Sequence, residues 1–512
     1  MSDDSRPTTP LRVVFVSAEA SRVAQVGGLA DATAGLVNQL RRLGVNVHLI
    51  VPDYGGVELD DEIREPLPMP TGTGPAFARH GHRRGLGAVT LISAPGLVRP
   101  HPYLDPRTGS GWIDNNERFL GFCAAAAALI ELDQPDIVHL NDWHSAPIIS
   151  WLEPARCTVL TIHNLAHQGV MPASLAHLFG PRREAFERHG ELNALAGAIV
   201  LADLVVTVSP SYATEITRPS GGNGLEDLLH TRADTLVGIR NGIEPDEWRP
   251  DLDLRLPASF DGTDLAGKRA CRRMLLERTG LGPVDNRPVI GMVARLTEQK
   301  GVDIALALTA QVEAFGARLV LVGDGDPTLW RHAEATQRQY ATTMRALPFE
   351  DRTAHLVVAG SDLLLMPSRF EPCGLPQMQA MLSGTIPVVT GVGGLRDTVI
   401  DADLTPATGT GFVAREPTVA SVGDALERAR RAWTDRPRRT AIQQRGMALD
   451  WSWQQPAKAM IRCYQRALGR QFEDPIDKPS DVIDLTRLPA ATRADRQGSR
   501  SDTRVPAQPM AR

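Results

Sequence analysis

Short, continuous apolar runs alternate with stretches of helical periodicity along most of the chain. Runs that are apolar without alternation are typical of parallel strands covered on both faces. The helical patterns between them include 31–42, 117–132, 302–315 and 422–433. The predicted strands are LRVVFVS, VNVHLIVP, AVTLIS, DIVHL, TVLTIHN, LVVTVS, PVIGMVAR, ARLVLVGDG, DLLLMPS and TIPVVTG. The alternation predicts an α/β protein with open, doubly wound parallel sheets, in which ligands bind outside the carboxyl ends of the strands.

The alternation breaks once, in a stretch rich in Pro, Gly, Asp and Arg that begins near residue 250. We therefore predict a Rossmann-like domain at 11–250, an interdomain connection at 251–285 and a second Rossmann-like domain at 286–450. Two such domains facing each other would form a central cleft between two sets of strand ends. Residues 1–10 are polar, and the segment after Phe472 lacks aromatic residues and any sustained period. Residues 1–10 and 470–512 are therefore predicted to be disordered.

Composition narrows the class of protein. The chain has 512 residues, too many for one compact core, with 42% hydrophobic residues and a formal net charge of −5. This balance gives no reason to expect nucleic-acid binding or capture by an anionic membrane. The five cysteines are scattered without a CxxC pair, which argues against a zinc site or a disulfide framework. The expectation is a soluble, cytoplasmic protein, since no apolar run is long enough to span a bilayer and the N-terminus is unlike a signal peptide.

The segment ARLTEQKG, residues 294–301, follows a predicted strand of the second half. It places Arg295 and Lys300 in a strand-to-helix loop on the ligand side of the sheet. Two cations there suit a diphosphate leaving group, because each can neutralise charge that develops as a bond breaks. A solvated basic loop is the alternative interpretation.

The segment LMPSRFEPCGLPQMQAM, residues 365–381, carries a carboxylate and free backbone N–H groups in one turn. A strand ends at Met366 and a helix is expected to begin near Leu375, with Glu371 in the turn between them. N–H groups at a helix N-terminus bind hydroxyls or phosphates, and a carboxylate accepts hydrogen bonds from sugar hydroxyls. Alternatively, Glu371 only complements the helix dipole. Gly393 and Gly394 open the next helix in a similar arrangement.

The first half offers polar residues after two strands and a glycine pair after a third. Asp142 follows DIVHL, and His163 with Asn164 follows TVLTI. Loop histidines usually have only a structural role, and a metal or hydrolase site is the other alternative. The sequence contains no HExxH, GxSxG or Walker lysine loop. The Gly27–Gly28 pair before a helix predicts that a ligand approaches that helix N-terminus.

Taken together and in order, the motifs resemble the bacterial glycogen and starch synthases, retaining glucosyltransferases of the GT-B fold. The resemblance runs from about residue 13 to residue 468. It is carried by GGLAD, DNNERF, NDWHSA, HNLAHQG, TVSPSYATEI, GIRNGIEPDEW, ARLTEQKGVD, LVGDGDP, MPSRFEPCGL, GGLRDTV and WSW. Any one motif is weak evidence, whereas the ordered set is specific.

The resemblance implies a glucosyl donor, ADP-glucose with UDP-glucose as the alternative, an α-1,4-glucan (glycogen) acceptor, and no metal or organic cofactor. It makes 11–250 the acceptor-side domain and 286–450 the nucleotide-sugar domain, with 451–469 as a helix that packs back on the first. The implied catalytic residues are Asp142, His163, Arg295, Lys300 and Glu371. The implied substrate-binding residues are Gln25, Gly27, Gly28, Asp31, Asn164, Asn241, Gln299, Cys373, Gly374, Leu375, Gly393 and Gly394.

Within that scheme, Arg295 and Lys300 clamp the diphosphate, Glu371 holds glucose hydroxyls, and His163 lies near the anomeric carbon with Asp142 beside it. The sequence presents no obvious carboxylate pair for double displacement, which suits a front-face route to retention. The chain departs from the family at three positions that are usually basic and are here Gln25, Ala196 and Thr390. The alternative function is therefore a catalytically impaired relative that binds glucan or nucleotide sugar and acts as a partner of glycogen enzymes. A pyridoxal-phosphate phosphorylase is a further alternative, although no residue marks a cofactor lysine.

Overall fold

The computed structural model describes residues 10–70, 73–283 and 285–469. The predicted disordered segments therefore lie almost wholly outside the described residues. Strand bounds are β1 Arg12–Val16, β2 Asn46–Pro52, β3 Asp60–Pro66, β4 Phe77–Arg83, β5 Gly87–Ser93, β6 Ile137–Asn141, β7 Thr158–Ile162, β8 Val170–Pro172, β9 Glu187–Arg188, β10 Glu191–Asn193, β11 Leu204–Thr207, β12 Leu236–Gly238, β13 Val289–Val293, β14 Arg318–Val322, β15 Met344–Leu347, β16 Leu363–Met366, β17 Ile386–Thr390 and β18 Phe412–Ala414. All ten strands predicted from the sequence are present.

The helices connect successive strands, as in other α/β proteins. Helix bounds are α1 Gly28–Arg42, α2 Asn115–Asp133, α3 Asp142–Ser145, α4 Ala194–Leu201, α5 Pro210–Glu215, α6 Glu226–Thr231, α7 Pro245–Trp248, α8 Ala266–Thr279, α9 Val302–Ala307, α10 Thr309–Ala314, α11 Pro327–Gln339, α12 Asp351–Gly360, α13 Pro376–Leu382, α14 Gly393–Thr398, α15 Val419–Thr434, α16 Arg436–Met447 and α17 Gln454–Ala467. Short 3₁₀ turns lie at Ala146–Ser150, Ala173–Leu178, Arg183–Phe186, Ala233–Thr235 and Glu298–Lys300. Within the described residues, none of these helices has the length and apolar character needed to cross a membrane.

Two large sheets organise the molecule, and we call them the N-terminal and the C-terminal sheet. The N-terminal sheet has nine strands in the order β12-β11-β7-β6-β1-β2-β5-β4-β3, and the C-terminal sheet has six in the order β15-β14-β13-β16-β17-β18. Within these two sheets all pairings are parallel except β5 with β4 and β4 with β3, which form an antiparallel extension at one edge. Strands β8, β10 and β9 form a small separate sheet.

Strand β1 shows why the predicted strands are continuously apolar. It pairs in parallel with β2 and β6, placing Val13 opposite both Val47 and Ile137. Its side chains then alternate between two cores: Val14 and Val16 belong to one, and Val13 and Phe15 belong to the other. Because both faces are covered, neither set of positions tolerates a polar residue.

The last helix returns to the N-terminal sheet. Helix α17 packs against α1, where the Trp453 indole lies so close to Gly35 that a Cβ there would be 1.9 Å from Trp453 Nε1. The Tyr464 hydroxyl is hydrogen-bonded to His139 Nδ1 of β6 at 2.7 Å. In the segment predicted as an interdomain connection, helix α8 packs on α12, next to the C-terminal sheet.

Candidate active site

The carboxyl ends of the two sheets face each other, and several contacts join them. Leu375, just before α13, packs on the start of α1, so that a Cβ at Gly28 would lie 3.4 Å from Leu375 Cδ1. The Asn241 N–H donates a hydrogen bond to the Cys373 thiol. Because parallel strands present their loops at one edge, these contacts bring the two groups of sequence-predicted residues to one cleft.

Asp142 begins the short helix α3 directly after β6. Its backbone φ is +54°, a left-handed conformation that is uncommon outside glycine. The Asp142 carboxylate accepts hydrogen bonds from the His163 N–H at 2.7 Å and the Asn164 N–H at 3.4 Å. Burial raises the pKa of Asp142 to about 7, and these two N–H donors act in the opposite direction. Asp142 therefore ties the loop after β6 to the loop after β7.

His163 occupies the first position after β7. Its Nε2 lies 2.9 Å from the Asn141 side-chain oxygen. Burial lowers the pKa of His163 to about 4, because the charged imidazolium loses hydration there. The side chain is therefore a neutral imidazole near pH 7.

In the C-terminal half, the two most informative sequence segments meet as an ion pair. Lys300 Nζ lies 2.6 Å from Glu371 Oε2, and the Ser368 hydroxyl donates to the same oxygen at 3.2 Å. Ser368 is held in turn through its backbone oxygen, which accepts from the Thr390 hydroxyl at 2.6 Å. Arg295, by contrast, has an exposed side chain. It lies near enough to Glu19, across the cleft, to lower the pKa of that carboxyl, although burial has the larger, raising effect.

The turn after Glu371 is shaped by internal hydrogen bonds. The Gln377 side-chain amide donates to the backbone oxygens of Cys373 at 3.1 Å and Gly374 at 3.0 Å. Gly374 has φ +73°, a conformation that favours glycine. Leu375 is the N-cap residue of α13, as the sequence predicted. Gln299 reaches the same turn, donating to the Phe370 oxygen at 3.3 Å.

The Gly393–Gly394 pair has a different surrounding from the one predicted. The Gly393 N–H donates to both carboxylate oxygens of Glu215, at 2.9 and 3.1 Å, and the Gly394 N–H donates to the Glu371 backbone oxygen at 3.0 Å. These N–H groups are therefore not open to a ligand in this structure. Their partners instead connect α5 and the Glu371 turn to the start of α14.

The same correction applies to the Gly27 turn. Glu19 is buried, and its carboxylate accepts hydrogen bonds from the N–H groups of Val26 at 2.7 Å and Gly27 at 3.0 Å. The sequence-based expectation of a free Gly27 N–H is therefore wrong. Gln25 turns toward α1, where its amide donates to Asp31 at 3.0 Å. The Glu19 carboxylate therefore occupies two N–H groups immediately before α1, which begins at Gly28.

Four further residues, which were not singled out from the sequence, lie in hydrogen-bonded contact with the candidate residues or with one another. Glu19 and Asn141 carried a usable signal, since both lie at the carboxyl end of a predicted strand. Tyr103, which donates to Glu19 at 2.7 Å, and Glu215 carried none, because their roles arise from contacts between distant segments. Among the described residues there is no group of three or more His, Cys, Asp or Glu side chains suited to a metal ion.

Comparison with known proteins places this geometry in a family. The model of the starch synthase catalytic domain matches residues 12–231, and the model of glycosyl transferases group 1 matches residues 276–447. The chain is 40% identical over 479 residues to a glycogen synthase of Halorhodospira halophila, covering 90% of this chain and 99% of that protein. It is 37% identical over 486 residues to a glycogen synthase of Aeromonas salmonicida, with 90% and 99% covered.

Comparison with solved structures indicates the same family. The catalytic domain of starch synthase IV from Arabidopsis thaliana, bound to ADP and acarbose, superposes with a TM-score of 0.83 at 30% identity, covering 90% of this chain and all of that one. A sucrose-phosphate synthase from Thermosynechococcus elongatus, at 18% identity and a TM-score of 0.60, shares the fold alone. The chain belongs to the glycogen and starch synthase family, and it is a glucosyltransferase with the GT-B fold.

Proposed function

We propose that this chain transfers glucose from ADP-glucose to the non-reducing end of an α-1,4-glucan, with retention at the anomeric carbon. The observation that carries the proposal is the Lys300–Glu371 pair, at 2.6 Å, in a cleft that also contains Asp142 and His163. The ADP and acarbose bound to the Arabidopsis relative support an adenine nucleotide donor and a glucan acceptor.

The Lys300–Glu371 pair leaves capacity on both partners for the donor. An ammonium group has three N–H donors, and within the described residues Lys300 uses one of them, for Glu371, so the other two are available to the diphosphate. The two side-chain hydrogen bonds that Glu371 makes with other described residues both fall on Oε2, so Oε1 is available to accept from glucose hydroxyls. Arg295, exposed in the same loop as Lys300, would supply the second positive charge on the diphosphate.

The residues of the N-terminal half would hold the glucose from the other side. His163 would lie against the sugar, while Asp142 fixes the backbone N–H groups of His163 and Asn164. Leaving-group charge would be stabilised by Arg295 and Lys300, and a phosphate oxygen would take the acceptor hydroxyl's proton on the front face. Closure of the cleft would exclude water and so favour transfer over hydrolysis. The remaining proposed cleft residues are Gln25, Gly28, Asp31, Asn241, Gln299, Cys373, Gly374 and Leu375.

A transfer assay with purified protein tests this. Labelled ADP-glucose or UDP-glucose is incubated with glycogen, and incorporation into α-1,4-linked glucan is measured, with Glu371→Gln as the inactive control and Glu427→Gln as the matched surface control. We expect incorporation from ADP-glucose, lost in Glu371→Gln only. Faster transfer from UDP-glucose would correct the donor. Glucan binding without transfer from either donor would instead support the impaired binding relative.

A further inference from the structure

Asn141 lies between β1 and the loop that carries His163. It ends β6, and its side chain is 1% exposed. Its backbone is fixed by Ser145, whose hydroxyl accepts from the Asn141 N–H at 2.7 Å and donates to the Asn141 oxygen at 2.8 Å. These hydrogen bonds therefore fix the position from which the Asn141 side chain extends.

The hydrogen bonds of Asn141 settle which way its amide faces. The side-chain Nδ2 donates to the Val16 backbone oxygen at 3.0 Å. A carbonyl oxygen only accepts, so the NH₂ group must face Val16 and the amide oxygen must face His163. That oxygen lies 2.9 Å from His163 Nε2.

The donor and acceptor roles in this hydrogen bond also determine which ring nitrogen of His163 carries a hydrogen. An amide oxygen is only an acceptor, so His163 Nε2 must carry a hydrogen. Burial lowers the pKa of His163 to about 4, so the ring holds one proton near pH 7 and Nδ1 has a lone pair. Within the described residues, no hydrogen bond is made to His163 Nδ1.

We propose that Asn141 is a positioning residue that holds His163 in the Nε2–H tautomer, so that Nδ1 offers a lone pair to a substrate hydroxyl. The proposal rests on the proposed function, in which His163 faces the sugar. Its consequence is selective: His163 accepts a hydrogen bond from a hydroxyl and cannot donate one to a phosphate from Nδ1. Sugar and diphosphate are thus directed to different parts of the cleft.

A second buried histidine, His139, has hydroxyl groups as hydrogen-bond partners where His163 has the Asn141 amide, and its tautomer is not fixed by them. His139 has Nδ1 at 2.7 Å from the Tyr464 hydroxyl and Nε2 at 2.7 Å from the Thr161 hydroxyl. Hydroxyls both donate and accept, so this environment is compatible with either tautomer. At His163 the partner is an amide oxygen whose orientation is itself fixed, and only one tautomer fits.

The tautomer can be measured without any assay of activity. Protein labelled with ¹⁵N-histidine is examined by NMR near pH 7, and the His163 ring signals are assigned by their absence in His163→Gln. We expect a protonated, pyrrole-type Nε2 and an unprotonated, pyridine-type Nδ1. A protonated Nδ1 in the wild-type protein, in either the neutral or the charged ring, would overturn the proposal.

Variants then test whether Asn141 imposes this state. In Asn141→Leu we expect signals of both tautomers, a fall in kcat of about tenfold and a KM for the donor within about twofold. Gln443→Met is the control for the loss of a buried amide, because Gln443 donates to the Gly384 oxygen in the C-terminal half, and its kcat should be unchanged. Should Asn141→Leu fail to fold, Asn141→Asp serves instead, since its carboxylate should convert His163 to the imidazolium at the same pH.

The outcomes separate this proposal from the function on which it rests. An unchanged tautomer in a folded Asn141→Leu protein, or an unchanged kcat, would overturn the positioning role. An absence of glucosyl transfer in the wild-type protein would overturn the proposed function, while the NMR signals would still report the tautomer that Asn141 holds.

Discussion

Lys300 Nζ and Glu371 Oε2 lie 2.6 Å apart, although the two residues come from different loops of the C-terminal sheet. The Glu371 side chain is 5% exposed and that of Lys300 is 18% exposed, so the pair is largely shielded from water. Charges in such a place are stable only together, because each would be poorly hydrated alone. The two charges therefore stabilise each other, and removing one residue leaves the charge of the other poorly compensated.

We expect Lys300→Met to abolish transfer and also to lower the free energy of unfolding by about 3 kcal/mol, because it leaves the Glu371 charge without its cation. The double variant Lys300→Met with Glu371→Gln should regain most of that stability and none of the activity. Urea unfolding and the transfer assay measure the two effects. Arg430→Met, which breaks a more exposed pair with Glu427, is the control and should cost less than about 1 kcal/mol. Equal stability of wild type and Lys300→Met would contradict the argument.

Two glycines of the site should respond differently to alanine. Gly393 has φ +42°, and a Cβ there would lie 2.0 Å from the Glu371 backbone oxygen. Gly27 has φ −153°, and a Cβ there would meet no atom of the described residues within 4 Å beyond its own chain neighbours. We expect Gly393→Ala to lose about 2 kcal/mol or more of stability together with donor binding, because the Glu371 turn must move. The free energy of unfolding of Gly27→Ala should lie within about 0.5 kcal/mol of that of the wild type. If both variants unfold at similar temperatures, the Glu371 turn can move to make room for the added Cβ without loss of stability, which would contradict the prediction.

Asp142 should make stability depend on pH in a predictable direction. Its pKa is about 7 in the folded protein against an ordinary 3.8, so the folded state retains a proton that the unfolded chain has lost between these values. The contribution of Asp142 therefore falls as pH rises through that window, by up to about 1.4 kcal/mol per pH unit.

Asn does not titrate and tolerates the left-handed φ of this position, so Asp142→Asn should keep the fold. We expect the stability of the wild type relative to this variant to fall between about pH 4 and 7, measured by urea unfolding at several pH values. Parallel pH profiles for the two proteins would count against a protonated Asp142.

Gln25→Lys introduces the positive charge that the family resemblance implies at this position. The structure limits the expected gain, because Asp31, the present partner of Gln25 at 3.0 Å, would compete with a phosphate for the ammonium group. We expect kcat/KM for the nucleotide-glucose donor to rise by up to about tenfold, or about 1.4 kcal/mol, and the gain to shrink as salt is added. Gln25→Met is the matched neutral control. If Gln25→Lys gives no gain with either donor at low salt, Gln25 does not face the phosphate.

The hydrophobic pattern was sufficient for the framework. Ten strands were predicted and found, because central parallel strands are covered on both faces and leave an unbroken apolar run. It failed where a strand is not buried: β3, Asp60–Pro66, is exposed at every position and lies at the sheet edge. The helix predicted at 302–315 is two helices, α9 and α10, that end and begin on either side of Leu308. Periodicity continues through such a break, so the sequence alone does not reveal it.

The position of polar residues after the strands also predicted that Asp142 lies near His163 and that Lys300 lies near Glu371, since the ends of parallel strands meet at one edge. What those residues bond to was decided only by tertiary structure. Glu19 occupies the Gly27 N–H, and Glu215 occupies the Gly393 N–H from 178 positions away. A sequence shows that an N–H group lies at a helix start, but the nearest carboxylate depends on how distant segments pack, and that packing is set by the whole core rather than by any local pattern.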